Sequence, residues 1–330
     1  MESGEVSRAG AEIDAAVERV GAVRAEIARV IYGQADVVEQ TLVTILSGGH
    51  GLLIGVPGLA KTKLVETLGT VLGLDTQRIQ FTPDLMPSDI LGSEVLDQSG
   101  DGSRSFRFIA GPVFTRLLMA DEINRASPRT QSALLQAMQE YHVTVAGKRY
   151  DLPSPFHVLA TQNPLEQEGT YPLPEAQLDR FLLQIDVNYP DRESERQVLL
   201  ETTGATEAKA EPVTSADEVK GLQQLVRRMP IGESVVDAIL DIVRAARPEH
   251  TKDTNLDGVI AWGPGPRASQ ALMLATRARA LIDGRYAPSV DDVQALAIPV
   301  LQHRMALTFA ARAEGMTIRD VIDGLAAKLG

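Results

Sequence analysis

Apolar residues recur at helical spacing over residues 11–30, as Ile13, Val17, Val20, Ile27 and Val30, and predict one long helix ending near Tyr32-Gly33. The periodicity resumes beyond Gly33-Gln34 and closes at Gly48-Gly49, so a second helix follows a break. The pattern then shortens into apolar runs at 52–54, 78–81, 117–120, 158–161 and 182–187. Helix-period segments separate these runs. One covers 129–140, with Leu134, Leu135 and Met138 as its inward stripe, and another covers 175–181. Short strands alternating with helices predict a parallel, doubly wound α/β sheet of five strands. Two stretches interrupt that order. Residues 93–109 place Phe106 and Phe108 around Arg107 after the turn cluster QSGDGS, and YHVTVAGKRYDL surrounds Ala146-Gly147-Lys148. Both read as inserted hairpins. Ahead of the first, PDLMPSDILG turns through two prolines into a brief helix.

Beyond Tyr189-Pro190-Asp191 the strand runs give way to helices, which divides the chain into three parts. An N-terminal helix covers 1–30, an α/β domain 31–190, and a small all-α domain 191–330 with a polar connector near 202–214. Ser215 and Glu218 have capping-box spacing. Residues 234–246 are amphipathic, residues 262–266 form a Gly-Pro loop, and Arg267 opens a helix reaching Ile282. Ser289 and Thr317 head the last helical segments, and Pro299 is expected to break the first of them.

At 330 residues there is ample length for a sizeable core. With no cysteine there are no disulfides, thiolate metal sites or thiol catalysis. A net charge of −12 from 32 basic and 44 acidic residues argues against general adhesion to nucleic acid or anionic membranes. No apolar run reaches the ~20 residues of a membrane span, and the first residues lack the apolar stretch of a signal peptide. A cytoplasmic location is the expectation.

The candidate chemistry centres on GVPGLAKT, residues 55–62, between the first short strand and a helix. It approximates the phosphate-loop pattern G-x-x-x-x-G-K-[ST], with Ala60 where the last glycine belongs. Gly55 and Gly58 allow backbone N–H groups to converge on phosphates, and the following helix aims its positive end at the anion. Lys61 would meet the β- and γ-phosphates, and Thr62 would ligate Mg²⁺. Ala60 is expected where the helix has already begun, a place that tolerates a methyl group. An ordinary strand-turn-helix with a solvated lysine is the plain alternative. Asp121 and Glu122 directly follow the third strand run. There a carboxylate can hold the metal that Thr62 touches, and its neighbour can orient and deprotonate water. Asn163 ends the fourth strand, at the carboxyl edge where parallel sheets bind ligands; it is either a water contact or a turn asparagine.

Taken together, VIYGQ, GVPGLAKT, PDLMPSDILG, ADEINRASPRTQSALLQAMQE, ATQNP, YPLPEAQLDRF and GPRA resemble the AAA+ ATPases, and more closely the MoxR family, over roughly residues 30–305. The resemblance implies a P-loop NTPase (AAA+) domain with hairpin inserts and a helical lid. Alanine before the loop lysine is similar to other MoxR sequences. By the same resemblance Lys61 and Thr62 form the Walker A pair, within a loop of Gly55, Val56, Pro57, Gly58, Leu59 and Ala60. Asp121 and Glu122 form the Walker B pair, and Asn163 is the sensor of the attacking water. Ile31, Gly33 and Gln34 lie beside the adenine. Arg180 is the arginine finger offered to a neighbouring subunit, its plain alternative being a salt bridge to Asp179 or a nearby acid. Arg267 is the second sensor, the lid's contact with the γ-phosphate, although GPGPRA departs from the alanine and serine that usually precede this Pro-Arg.

The resemblance further implies Mg²⁺-dependent ATP hydrolysis by a ring of six copies, used to remodel or activate a partner protein. It also implies a partner with a von Willebrand factor A domain and hairpins that face the central channel. The rival readings are the motor subunit of a metal chelatase, a nucleic-acid motor or transcriptional activator, and a passive nucleotide-gated scaffold. The insert lacks a GAFTGA-type loop, which weighs against the activator.

Overall fold

The computed structural model describes residues 2–98, 104–166, 169–203, 208–249 and 256–329, with side chains from Gly10 onward. The turn expected at 98–103 lies, from Ser99 on, outside the described residues, as do 204–207 of the polar connector. Five strands form one parallel sheet: β1 (Gly51–Ile54), β2 (Thr76–Gln80), β5 (Leu117–Asp121), β8 (His157–Gln162) and β9 (Leu183–Asp186). Their spatial order is β2-β5-β8-β1-β9, and every pairing is parallel. The register sets Gln80 beside Asp121 and Ile54 beside Gln162. The carboxyl ends of the strands thus share one edge, where a doubly wound sheet receives ligands.

Alternate residues of the three central strands feed two cores, as the period of two requires. Leu53, Leu117, Met119, Leu159, Leu183 and Ile185 face one side. Leu52, Leu118, Ala120, Val158 and Ala160 face the other. The first core also takes residues from α1 (Glu2–Ala28), α2 (Ala35–Leu46), α3 (Lys61–Val71) and the C-terminal helices. The second takes residues from α4 (Pro87–Leu91) and α5 (Pro128–Glu140).

Both expected hairpins form, β3 (Gly92–Gln98) with β4 (Arg104–Ala110), and β6 (His142–Val145) with β7 (Lys148–Asp151). They touch. The rings of Phe108 and Tyr150 stack at 3.9 Å between centroids and 18° between planes, and Lys148 pairs with Glu94 at 3.4 Å. On the same face as Phe108, the opposed pair Leu96 and Phe106 stays 54% and 67% exposed.

The C-terminal part contains α7 (Arg192–Thr202), α8 (Ala216–Arg228), α9 (Glu233–Ala245), α10 (Pro266–Ile282), α11 (Val290–Leu301), α12 (Phe309–Ala313) and α13 (Ile318–Ala326). The capping box at Ser215 and Glu218 is present. Three expectations need correction. The lid is not all helix, because β10 (Ile260–Trp262) pairs antiparallel with β11 (Ala306–Leu307), so Trp262 ends a strand. Pro299 does not break α11, which runs on through Leu301; the helix ends two residues later, so little of it lies beyond the missing N–H. The short helix expected over 175–181 is α6 (Glu175–Leu178), and the remainder is turn.

The lid is anchored by charge as well as by apolar packing. Asp292 is fully buried, and its carboxylate accepts from Arg279 at 2.9 Å and from Arg285 at 2.6 and 2.7 Å. Arg279 also donates to Glu39 of α2 at 3.2 Å. Helix α1 lies across both parts, with Arg24 3.8 Å from Glu39 of α2, Arg19–Glu218 at 2.7 Å, Arg24 also donating to the Ile282 carbonyl at 3.4 Å, and Tyr286 donating to Asp14.

Among the described residues, three histidines are buried in the interior. Nε2 of His50 bonds the Met138 carbonyl at 3.1 Å, while its Nδ1 accepts from the Val158 N–H at 3.0 Å. Nδ1 of His157 bonds the Gly49 carbonyl at 2.8 Å, and its Nε2 meets the Gln223 amide of α8 at 2.9 Å. His303 bonds the Phe181 carbonyl at 3.1 Å. These partners suit neutral rings, each with one N–H. Burial, reinforced by His157, pushes the His50 pKa down to about 3, burial pushes that of His157 down to about 4, and burial holds that of His303 well below its ordinary value.

Candidate active site

The stretch 55–62 leaves β1 and turns into α3, and its backbone shows why glycine is needed. A side chain on Gly55 would lie 2.5 Å from the Val187 carbonyl oxygen, and Gly58 has φ 86°. Ala60 departs from the expected helical geometry: it caps α3 at φ 55°, ψ 21°, in the left-handed region. The helix itself opens at Lys61. Alanine there carries roughly 1–2 kcal/mol of strain that glycine would not.

A cleft of about 490 Å³ opens at this edge, lined by residues 57–63, Asp121, Glu122, Thr161 and Asn163, together with Arg78 and Gln80 of β2. Most of the expected site is therefore gathered in one place. Within the cleft Lys61 donates to the Gly55 carbonyl. Burial lowers its pKa, and Asp121, Glu122 and Glu166 partly offset that. Val56 does not line this cleft among the described residues; it packs against the first core.

The two acids are held differently. Asp121 accepts from the Thr161 hydroxyl at 2.6 Å and pairs with Arg78 at 2.5 Å. Glu122 stands at φ 54°, ψ 51°, so the chain leaves β5 through a second strained residue. Its N–H donates to Thr161 at 2.9 Å. Its carboxylate accepts from Gln80 at 2.7 Å and from Arg125 at 2.9 Å. Asn163 forms the expected turn contact, its side-chain oxygen accepting from the Leu165 N–H at 3.1 Å, and it lines the cleft.

Of the expected adenine residues, Ile31 and Gln34 lie next door, while Gly33 lines a separate pocket with Asn188, Tyr189 and Ser194. Gly33 has φ 67°, and Gln34 donates to the Asn188 carbonyl at 3.2 Å. Ile31 and Gln34 join Val37, Leu59, Ala60, Lys61, Leu64 and Val187 around a narrow crevice that reaches the phosphate loop.

The two arginines are elsewhere. Arg180 and Arg267 line a second cleft of about 260 Å³ with His50, Tyr141, Asp179 and Arg304, and none of residues 55–62 lines it. Arg267 thus lines a different cleft from the phosphate loop. The lid carries Arg267 to the Asp179–Arg180 turn, and its guanidinium lies 3.8 Å from Asp179. Arg180 donates to the Leu135 carbonyl at 2.6 Å. The acid beside it is taken by Arg304 at 2.7 Å, so the plain Arg180–Asp179 pairing gives way to a different one.

Sequence reading missed Arg78, Gln80, Arg125, Thr161 and Arg304. The signal available for the first two was two long polar side chains, two residues apart, near the end of a strand.

A glycine-bearing loop between a parallel strand and a helix, with an acid pair ending the next strand but one, defines a P-loop ATPase. Residues 50–183 match the ATPase family associated with various cellular activities (AAA), and residues 252–325 match the AAA lid domain. The chaperone MoxR1 of Mycobacterium tuberculosis is 44% identical, over 90% of this chain and 78% of its own. An uncharacterized protein of Bacillus subtilis, YeaC, is 42% identical over 90% and 89%. Protein MoxR of Paracoccus denitrificans is 31% identical over 84% and 86%. A solved structure of a candidate ATPase from Cytophaga hutchinsonii superposes with a TM-score of 0.91 at 38% identity, covering 99% of this chain and 98% of that one. The chain belongs to the MoxR family of AAA ATPases.

Proposed function

We propose that copies of this chain assemble into a ring, with six as the family expectation, and that ATP is hydrolysed in clefts shared between neighbours. The observation that carries this reading is the separation of the two clefts. The phosphate loop, Asp121, Glu122 and Asn163 line one, while Arg180 and Arg267 line another. Each copy thus offers a nucleotide cleft without those arginines and an arginine pair without a phosphate loop. Docking the second cleft of one copy on the first cleft of the next completes the site, with both arginines acting on the neighbour's ATP.

In that site the loop N–H groups and Lys61 hold the phosphates. Glu122 takes the proton of the attacking water, and Asn163 orients that water. Glu122 is itself aimed by Gln80 and Arg125. The carboxylate of Asp121 and the hydroxyl of Thr62 are the hard oxygen donors that Mg²⁺ prefers, and both line the same cleft, where a bound ion would take the place of the Arg78 pairing. When bound there, Mg²⁺ would neutralise the charge of the β- and γ-phosphate oxygens. The energy released remodels a partner protein, chaperone-like as the name of MoxR1 suggests, with a von Willebrand factor A domain protein as the family expectation. The cytoplasm, where ATP is supplied, is the proposed location.

Turnover per chain should rise with protein concentration and fall by ~10³ or more in Arg180→Ala, the low end of what such an arginine is worth. Glu122→Gln should retain ATP without hydrolysing it. An undiminished rate in Arg180→Ala would remove the shared site.

A further inference from the structure

The segment that carries Arg180 is gripped from the lid, and the grip centres on a side chain outside every motif that led to the site. Arg304 follows α11 by three residues and is only 3% exposed. Its Nε donates to Asp179 Oδ1 at 2.7 Å. Its terminal nitrogens donate to the carbonyls of Phe181 at 2.6 Å, Leu182 at 3.1 Å and Asp179 at 3.4 Å, and one also donates to the Val300 carbonyl at 2.5 Å, which fixes the guanidinium to its own helix end. The two preceding residues continue the clamp, His303 on the Phe181 carbonyl at 3.1 Å and Gln302 on the Gln184 carbonyl at 3.1 Å. Asp179 in turn faces Arg267 at 3.8 Å.

Arg180 lies inside the span that Arg304 holds, so where its guanidinium points depends on backbone atoms fixed by the lid. Arginine suits such a clamp because its planar fork reaches several acceptors at once, which a lysine ammonium on a flexible stem cannot reproduce. Neutral filler would leave these carbonyls and the carboxylate short of donors.

We propose that Arg304 is a positioning residue for hydrolysis in the neighbouring subunit: it transmits the lid's placement to Arg180 and, through Asp179, to Arg267. This rests on the reading that Arg180 acts across the interface. The lesion in an Arg304 variant therefore belongs to the arginine-donating side of a subunit, while that subunit's own phosphate loop, acids and adenine crevice stay intact.

The test is complementation between subunits. Arg304→Lys keeps the charge and loses the fork. It should assemble and bind ATP with a Kd within twofold of the wild type, and lose on the order of 10²-fold in kcat, the cost of displacing a catalytic group by about an ångström. Mixing it with an excess of Glu122→Gln chains, which cannot hydrolyse but carry an intact Arg180 and Arg304, should restore much of the lost turnover per Arg304→Lys chain. A merely structural defect would stay with the damaged chain and would not be repaired by its neighbour. Arg180→Ala goes through the same mixture as a control. If Arg180→Ala is rescued but Arg304→Lys keeps full activity, or loses it without rescue, the positioning role is overturned. If Arg180→Ala is not rescued either, the cross-subunit reading itself falls and this inference with it. Arg304→Met, of similar length and uncharged, takes the same mixture should the lysine variant fail to assemble.

Discussion

The three buried histidines make this fold sensitive to mild acid in a calculable way. Their folded pKa values, about 3 for His50, about 4 for His157 and well below the ordinary value for His303, lie under the ~6.5 of an unfolded chain. Above pH 6.5 neither state carries the protons and the shifts have no effect. As pH falls through 6.5 the unfolded chain binds three protons that the folded chain refuses, so stability falls. It keeps falling toward pH 4, where His157 begins to charge in place. Three protons correspond to a slope of about 4 kcal/mol per pH unit between pH 6 and 5. That is a large share of the ~5–15 kcal/mol a domain possesses. Burial is the main reason, and at two of the rings a donor clash adds to it. A proton on Nδ1 of His50 would face the Val158 N–H, and one on Nε2 of His157 would face the Gln223 amide that fastens α8 to the sheet. Urea unfolding at intervals between pH 7 and 5 measures the slope. His157→Asn, which cannot titrate, should lower it by about a third. A wild-type slope corresponding to one proton or fewer would refute the reasoning.

Two further outcomes follow from backbone and charge. Ala60→Gly should stabilise the chain by about 1 kcal/mol, since relief of left-handed strain exceeds the added chain entropy of glycine; an unchanged or lower urea midpoint would contradict the φ of 55°. Asp292→Asn should cost about 2–3 kcal/mol. That is less than the ~3–5 of a fully buried pair, because the Arg279 and Arg285 side chains it strands are 25% and 36% exposed.

The fold was legible wherever one local period dominated. The five strands, both hairpins and the capping box at Ser215 all depend on residues within a few positions of each other. The phosphate loop and the acids after β5 were legible for the same reason, being consecutive in the chain. What escaped was long-range. Arg78 reaches Asp121 across 43 positions and Arg304 reaches Asp179 across 125. On its own strand or helix end each looks like an ordinary solvated arginine, and only the register of the parallel sheet and the docking of the lid supply the partner. Ala60 was misread because alanine rarely adopts the conformation it has here, and Pro299 because α11 runs on past a missing N–H that lies only two residues from its end.

The stacked rings of Phe108 and Tyr150 give the two hairpins a mechanical character. The second hairpin leaves α5 directly, through Tyr141 at φ 55°, and α5 itself starts six residues after Glu122. A load applied at the exposed Leu96 and Phe106 is shared by both hairpins only while the aromatic contact and the Lys148–Glu94 pair hold. That contact is worth about 0.5–1.5 kcal/mol beyond the area it buries, no more than a few times the thermal energy. The joint is therefore weak beside the β3–β4 ladder of seven paired residues, and it ties the exposed pair on the first hairpin to the helix that leads back to the acids.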